Sequence, residues 1–158
     1  MGLFKLGTRP SIFLSIFLFG CSAIHPNVPT SKVARVEEKN KVTSIFYYPL
    51  TPSMPYQAMA ILAGRFEWKD ECIYLVNRRG TYSTAMFPSY PKEDVQWDEE
   101  SKTLNLKGHI FRMGDWIKTN GNYDTYVPNV GRFIEYENQG DKKCLTTSLA
   151  YVGTVSIR

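Results

Sequence analysis

Three cysteines and one histidine carry most of the reactive chemistry open to this chain. Cys72 and Cys144 stand far apart in its second half, and His109 is the single histidine beyond position 25. A cysteine brought beside an imidazole can serve as a thiolate nucleophile with its base. The competing reading is a disulfide, because two leftover cysteines in an exported domain pair in an oxidising compartment. The acids Asp98, Glu99 and Glu100 adjoin one another in a turn-like stretch, which favours a solvated corner over an opposed general acid and base. No His-Glu-x-x-His zinc spacing, no Gly-x-Ser-x-Gly elbow and no phosphate-binding glycine loop occurs. The sequence therefore predicts no catalytic residue, no metal and no cofactor, and it pairs Cys72 with Cys144. A hydrolase acting on cell-wall material through Cys72 or the acids is the enzymatic alternative.

The third cysteine has a different setting. Lys5 and Arg9 are the only charged residues before it, Ser11 to Gly20 is an apolar run of ten, and Leu18-Phe19-Gly20-Cys21 follows. A cationic start, a short apolar segment and a small residue at the cleavage point make a signal peptide over residues 1–20. A membrane-spanning helix needs about 20 apolar residues, whereas His25, Pro26 and Asn27 close this run early. Residues 18–21 resemble the lipobox of bacterial lipoproteins. That resemblance implies that Cys21 takes a diacylglycerol, is further acylated with fatty acid such as palmitate, and becomes the first residue of a protein anchored to the membrane of the cell envelope. Ser22 after the cysteine resembles the outer-membrane class, facing the periplasm, if the cell is Gram-negative. Cleavage after Ala23 by the ordinary signal peptidase would instead release a soluble secreted binding module.

Beyond the anchor, residues 21–43 read as a lipidated cysteine and polar tether, with Pro26, Pro29 and mixed charges from Lys32 to Lys41. A short helix over Ser31 to Asn40 is the alternative. Residues 44–158 are enough for one core. Downstream of Cys21 the chain holds 17 cations and 15 acids, a net charge of +2. That is too mild for a nucleic-acid partner.

From Ser44 onward the apolar residues alternate with period two, and turn residues interrupt them every eight to twelve positions, which predicts strands. Ala60, Leu62, Gly64, Phe66 and Trp68 share one face of a strand. A turn at 69–71 leads into the nearly continuous apolar run of Cys72 to Asn77, and 78–80 turns it back through Thr81 to Phe87. Further strands are expected at 95–97, at 103–112 with a bulge or bend at Gly108, at 116–118, at 130–136 and at 152–157. The expected architecture is a mainly β domain: a single small antiparallel barrel or half-barrel of five to seven strands, which removes most exposed edges.

Gly64-Arg65-Phe66, Cys72-Ile73-Tyr74-Leu75, Phe87-Pro88, Trp97 and the run Phe111 to Ile117, with Cys144 downstream, loosely resemble small exported β-barrel domains of the OB kind. The resemblance brings no activity with it. Aromatic residues number 22 of 158, several beside Pro, Asn and Asp where rings with polar tips suit a binding surface. Lys118 to Gly131 lacks alternation and predicts a loop with Asn120, Tyr123, Asp124 and Tyr126 as candidate binding residues. The function that emerges is non-enzymatic: a lipid-anchored envelope protein that binds a glycan or a protein partner, or assists assembly.

Overall fold

The computed structural model describes residues 42–158; the expected signal peptide, Cys21 and nearly all of the expected tether, with the candidate helix in it, lie outside the described residues. The described chain is mainly β, with a closed five-stranded barrel and a second small sheet. The first strand pair follows from alternation. In β2 (Ile61–Lys69), Leu62, Gly64 and Phe66 are buried while Ile61, Ala63 and Arg65 face out. Asp70 and Glu71 both take positive φ, the two-residue turn that matches strand twist. The chain then returns as β3 (Cys72–Val76), in register Lys69↔Cys72 through Arg65↔Val76. The hairpin to β4 (Tyr82–Pro88) turns at Gly80, φ 78°, as expected.

The barrel closes in the order β2-β3-β4-β9-β8 and back to β2, where β8 is Trp116–Thr125 and β9 is Ser148–Val152. Its last seam is parallel: Thr84, Ala85 and Met86 of β4 lie level with Leu149, Ala150 and Tyr151 of β9. A second parallel pairing adds β1 (Phe46–Tyr48) to the end of β4. The all-antiparallel expectation is thus corrected at two seams. Parallel neighbours cannot be joined by a tight turn, and residues 89–147, with β8 among them, lie between β4 and β9 in the chain; the 126–147 segment, which joins the antiparallel β8 and β9, carries a short helix over the outer face of the barrel.

Two apolar clusters result. Leu62, Phe66, Ile73, Leu75, Ala85, Phe87, Ala150 and Val152 fill the interior. Phe46, Tyr48, Tyr74, Val76, Met86 and Leu149 point outward from the same wall and are covered by Phe133 and Tyr136 of α1 (Phe133–Glu137). Burial on both faces explains why Cys72 to Val76 reads as an unbroken apolar run.

The small sheet is a meander of β5 (Val95–Asp98), β6 (Thr103–Leu106) and β7 (His109–Arg112) between β4 and β8. Its Val95, Leu104, Leu106 and Phe111 join the interior cluster. Gly108 makes no bulge in a long strand; Lys107 and Gly108, both at positive φ, form a tight turn joining Leu106 to His109. Residues 130–136 are corrected from strand to turn and helix, because Phe133 and Tyr136, three positions apart, bury together. The final strand ends at Val152; in the tail beyond it, Gly153 donates its backbone N–H to the Asn120 carbonyl and Arg158 pairs through its backbone with Lys118.

Cys72 and Cys144 form a disulfide, Cα to Cα 5.3 Å, that fastens the short helical turn Lys142–Cys144 to the start of β3. The loop it closes spans 72 residues. In the chain-entropy treatment such a link stabilises by about 4 kcal/mol. Replacing both cysteines with Ala should lower the unfolding free energy by about that amount in denaturant titrations, and thiol counting on unreduced, unfolded protein should find neither sulfur free.

Candidate functional site

A polar concavity lies on the outer wall of the barrel, where β8, β9, β1 and α1 meet. Alternation along β8 points Asn122 and Asp124 outward, and the register Asn122↔Tyr151 sets Tyr151 beside them. The end of β1 contributes Tyr48 and Pro49, and the helical turn after Gly131 brings Arg132 and Tyr136 over the top. The cleft is open to solvent and has a volume of about 370 Å³.

Its polar groups are tightly interlinked. The Arg132 guanidinium donates to the Asp124 carboxylate, which also accepts from the Tyr151 hydroxyl at 3.4 Å. Tyr151 and Tyr136 hydroxyls are 3.4 Å apart, and Tyr48 donates to the Val152 carbonyl at 3.2 Å. The rings of Tyr48, Tyr151 and Tyr136 pack edge to face, and Arg132 lies 5.0 Å from the centre of the Phe133 ring. Burial, reinforced by its neighbour Tyr136, pushes the Tyr151 hydroxyl well above its ordinary range, and the same two causes raise Tyr48. The carboxylate of Asp124 raises Arg132. The Tyr48 and Tyr151 hydroxyls therefore stay protonated and Arg132 stays charged at neutral pH. The site offers donors and acceptors to a polar ligand, and these groups lack a proton to exchange near pH 7.

The four candidate residues of the expected loop separate. Asn120, Tyr123 and Asp124 lie on β8 rather than in a loop, so that reading is corrected: alternation was masked because β8 changes partner midway, from β2 up to Asn120 to β9 from Gly121. Asp124 enters the cleft. Tyr123 is 44% exposed, its hydroxyl 3.5 Å from the Ala63 carbonyl. Tyr126 donates to Glu137 at 2.9 Å and stacks edge to face on Phe133, fastening the segment that carries Arg132.

Asn120 is buried and structural. Its amide donates to the Ala58 carbonyl at 2.9 Å, its carbonyl accepts from Val155 at 2.9 Å and Ser156 at 3.2 Å, and its backbone oxygen accepts from Gly153 at 2.8 Å. A Cβ on Gly153 would lie 2.2 Å from the Asn120 amide nitrogen, and one on Gly121 would lie 2.2 Å from the Tyr151 carbonyl oxygen. The strand switch thus demands glycine at both positions.

Two carboxylates have roles the sequence did not signal. Glu137 accepts from the Asn129 backbone at 2.7 Å, from Lys142 at 2.8 Å and from Tyr126. The Asn129 bond first, then Lys142, hold its pKa down at about 2 against burial. Glu99, read as part of a solvated corner, receives Lys102, the Trp97 indole at 2.7 Å and both the backbone and hydroxyl of Thr43. Burial opposes its charge, but the bonds from Lys102, Trp97 and Thr43 outweigh it and leave Glu99 at about 2. Thr43 also accepts from the Trp68 indole at 2.9 Å, so Glu99 fixes where the chain enters the domain. Thr43 is 56 positions away, and no local pattern announces the contact. Of the earlier catalytic candidates, Cys72 is in the disulfide, and His109 is exposed on β7. Among the described residues no group of three or more His, Cys, Asp or Glu is arranged to hold a metal ion.

Asn120→Ala should cost about 2 to 4 kcal/mol, since a buried side chain and three part-buried hydrogen bonds are lost at once, whereas Arg132→Ala, at an exposed ion pair, should change stability by no more than about 1 kcal/mol. Thermal and denaturant melts of the two variants test the contrast.

Glu137 and Glu99 have folded pKa values near 2 against an ordinary 4.5. A depressed folded pKa contributes stability fully present above the unfolded value and lost as protons bind the folded form. Melting temperature should therefore fall between about pH 4.5 and pH 2, and Glu137→Gln should show a shallower decline over that window. An equal slope in variant and parent would contradict it.

Compared with protein-family models, curated proteins and solved structures, the chain matches none.

Proposed function

We propose that this chain is an exported lipoprotein of a bacterial envelope, held to a membrane through acylated Cys21, whose barrel binds a glycan or protein partner without catalysing a reaction. The observation that carries the reading is the Cys72–Cys144 disulfide. Disulfides persist where the compartment is oxidising, in keeping with a signal peptide ahead of Cys21. A sulfur in a disulfide is not the thiolate a cysteine hydrolase requires, which weighs against the enzymatic alternative. The strand order β2-β3-β4-β9-β8, closed by a parallel seam, supports the likeness to OB-type barrels, whose outer surfaces bind oligosaccharides and oligonucleotides. The mild net charge favours the former. The cleft of Asp124, Arg132 and Asn122 over three tyrosines is the proposed contact: an ion pair that both donates and accepts suits a diol or an amide. For a Gram-negative cell, the likeness of Ser22 to the outer-membrane class favours an anchor in the outer membrane, facing the periplasm.

Cells fed labelled palmitate should label this protein and recover it with membranes, and Cys21→Ala should abolish both. Labelling and fractionation unchanged by that substitution would sink the anchor. For the cleft, Asp124→Asn combined with Arg132→Ala should lose partners recovered in mild detergent while the melting temperature stays within a few degrees of the parent.

A further inference from the structure

A different wall of the barrel carries a second surface. The outward face of β2 and β8 sets Ala63 level with Lys118 and Arg65 level with Trp116. Arg158 pairs with the other edge of Lys118, donating its backbone N–H to the Lys118 carbonyl at 2.8 Å and accepting in return at 3.1 Å. Arg78 reaches the same place from the far side, where the chain leaves β3 two residues beyond the Arg65↔Val76 pair. Arg78, Ala63, Lys118 and Arg158 thus form one row across the strands. With Trp116 they line a groove of about 240 Å³.

Three features give this groove its chemistry. Arg78, Lys118 and Arg158 are exposed, and among the described residues none of them has an ion pair. The nearby carboxylates are engaged: Glu67 by Arg65 and Tyr82, and Asp115 by the Arg112 backbone at 2.8 Å. Trp116 is 51% exposed and Ile61, on the same face, is 72% exposed, so a large ring and an aliphatic side chain stand in solvent beside unneutralised cations. The small side chain of Ala63 keeps the floor low between Arg78 and Lys118. Strands lie about 4.8 Å apart, so the cations follow a line with steps of roughly 5 to 10 Å.

We propose that this groove binds an anionic glycan, a short run of sugars bearing carboxylate or phosphate. Trp116 stacks on a sugar ring, and Arg78, Lys118 and Arg158 meet successive negative groups. A single row of charges along a groove fits a linear polymer better than the plane of a bilayer. The site shares no residue with the Asp124–Arg132 cleft, so the two stand or fall separately.

The test uses the full chain in non-ionic detergent and a fluorescent galacturonate hexamer, with a neutral maltohexaose of equal length as control. Anisotropy should rise with the galacturonate alone and weaken as salt is raised. Arg78→Gln with Lys118→Gln should weaken binding at least tenfold, Lys118→Arg should retain it, Trp116→Ala should weaken it with no change in salt dependence, and Arg132→Ala should leave it unchanged. Should the double variant unfold, Trp116→Ala and Lys118→Gln singly give the same reading. Equal binding of the two sugars, no binding of either, or galacturonate affinity untouched by these substitutions would overturn the proposal. Capture only by vesicles containing phosphatidylglycerol, judged against Cys21→Ala protein, would overturn it in favour of a membrane contact.

Discussion

The parallel seam between β4 and β9 is the constraint on which the rest of this structure depends. Without it, the meander of β2, β3 and β4 and the pair of β8 and β9 would form a curled sheet with two open edges, which natural proteins avoid leaving bare. Closing the seam creates an inside that Leu62, Phe66, Leu75 and Phe87 fill. It also creates an outside on which Tyr48, Met86, Leu149 and Tyr151 stand in a block. β8 and β9 themselves pair antiparallel, yet the chain between them makes no tight turn, and its path lays α1 over that outer block.

The second layer follows from that path. Phe133 and Tyr136 cover the outer wall, the disulfide ties the end of the path to the first residue of β3, and buried Glu137 gathers Asn129, Tyr126 and Lys142 into one knot. Arg132, at the start of α1, is thereby held over Asp124. The cleft is a by-product of this covering: it forms where the 126–147 segment stops short of sealing β8 against β1. Its rings are rigid because they pack edge to face, and its charges are mutually compensated, so it has the character of a pre-formed binding surface.

Strand switching at Asn120 and Gly121 is a comparable economy. One strand serves two neighbours in succession, and the point of exchange is occupied by a glycine with no room for a Cβ and an asparagine that satisfies four backbone groups at once. The same switch brings Arg158 alongside Lys118 and so assembles the cationic row of the opposite wall. Both surfaces thus descend from how β8 is partnered.

Much of the local structure was legible in the sequence. The alternation through Leu62 and Phe66, the 69–71 and 78–80 turns, the unbroken run at Cys72 and the pairing of Cys72 with Cys144 each rest on short-range periodicity, turn chemistry or the scarcity of other partners. The small size of the closed barrel followed from edge avoidance. What the sequence could not reveal depended on contacts between distant residues. Nothing local distinguishes Asp124 in a strand that changes partner from Asp124 in a loop, and nothing near Glu99 points to Thr43. The period of Val130 to Tyr136 is too short to separate strand from helix until Phe133 and Tyr136 find a wall to cover. Side-chain spacing determined the elements, because each strand or turn is encoded within a few residues. The parallel seam, the path of the 126–147 segment and both surfaces were decided by which elements could bury one another, a property of the whole assembly.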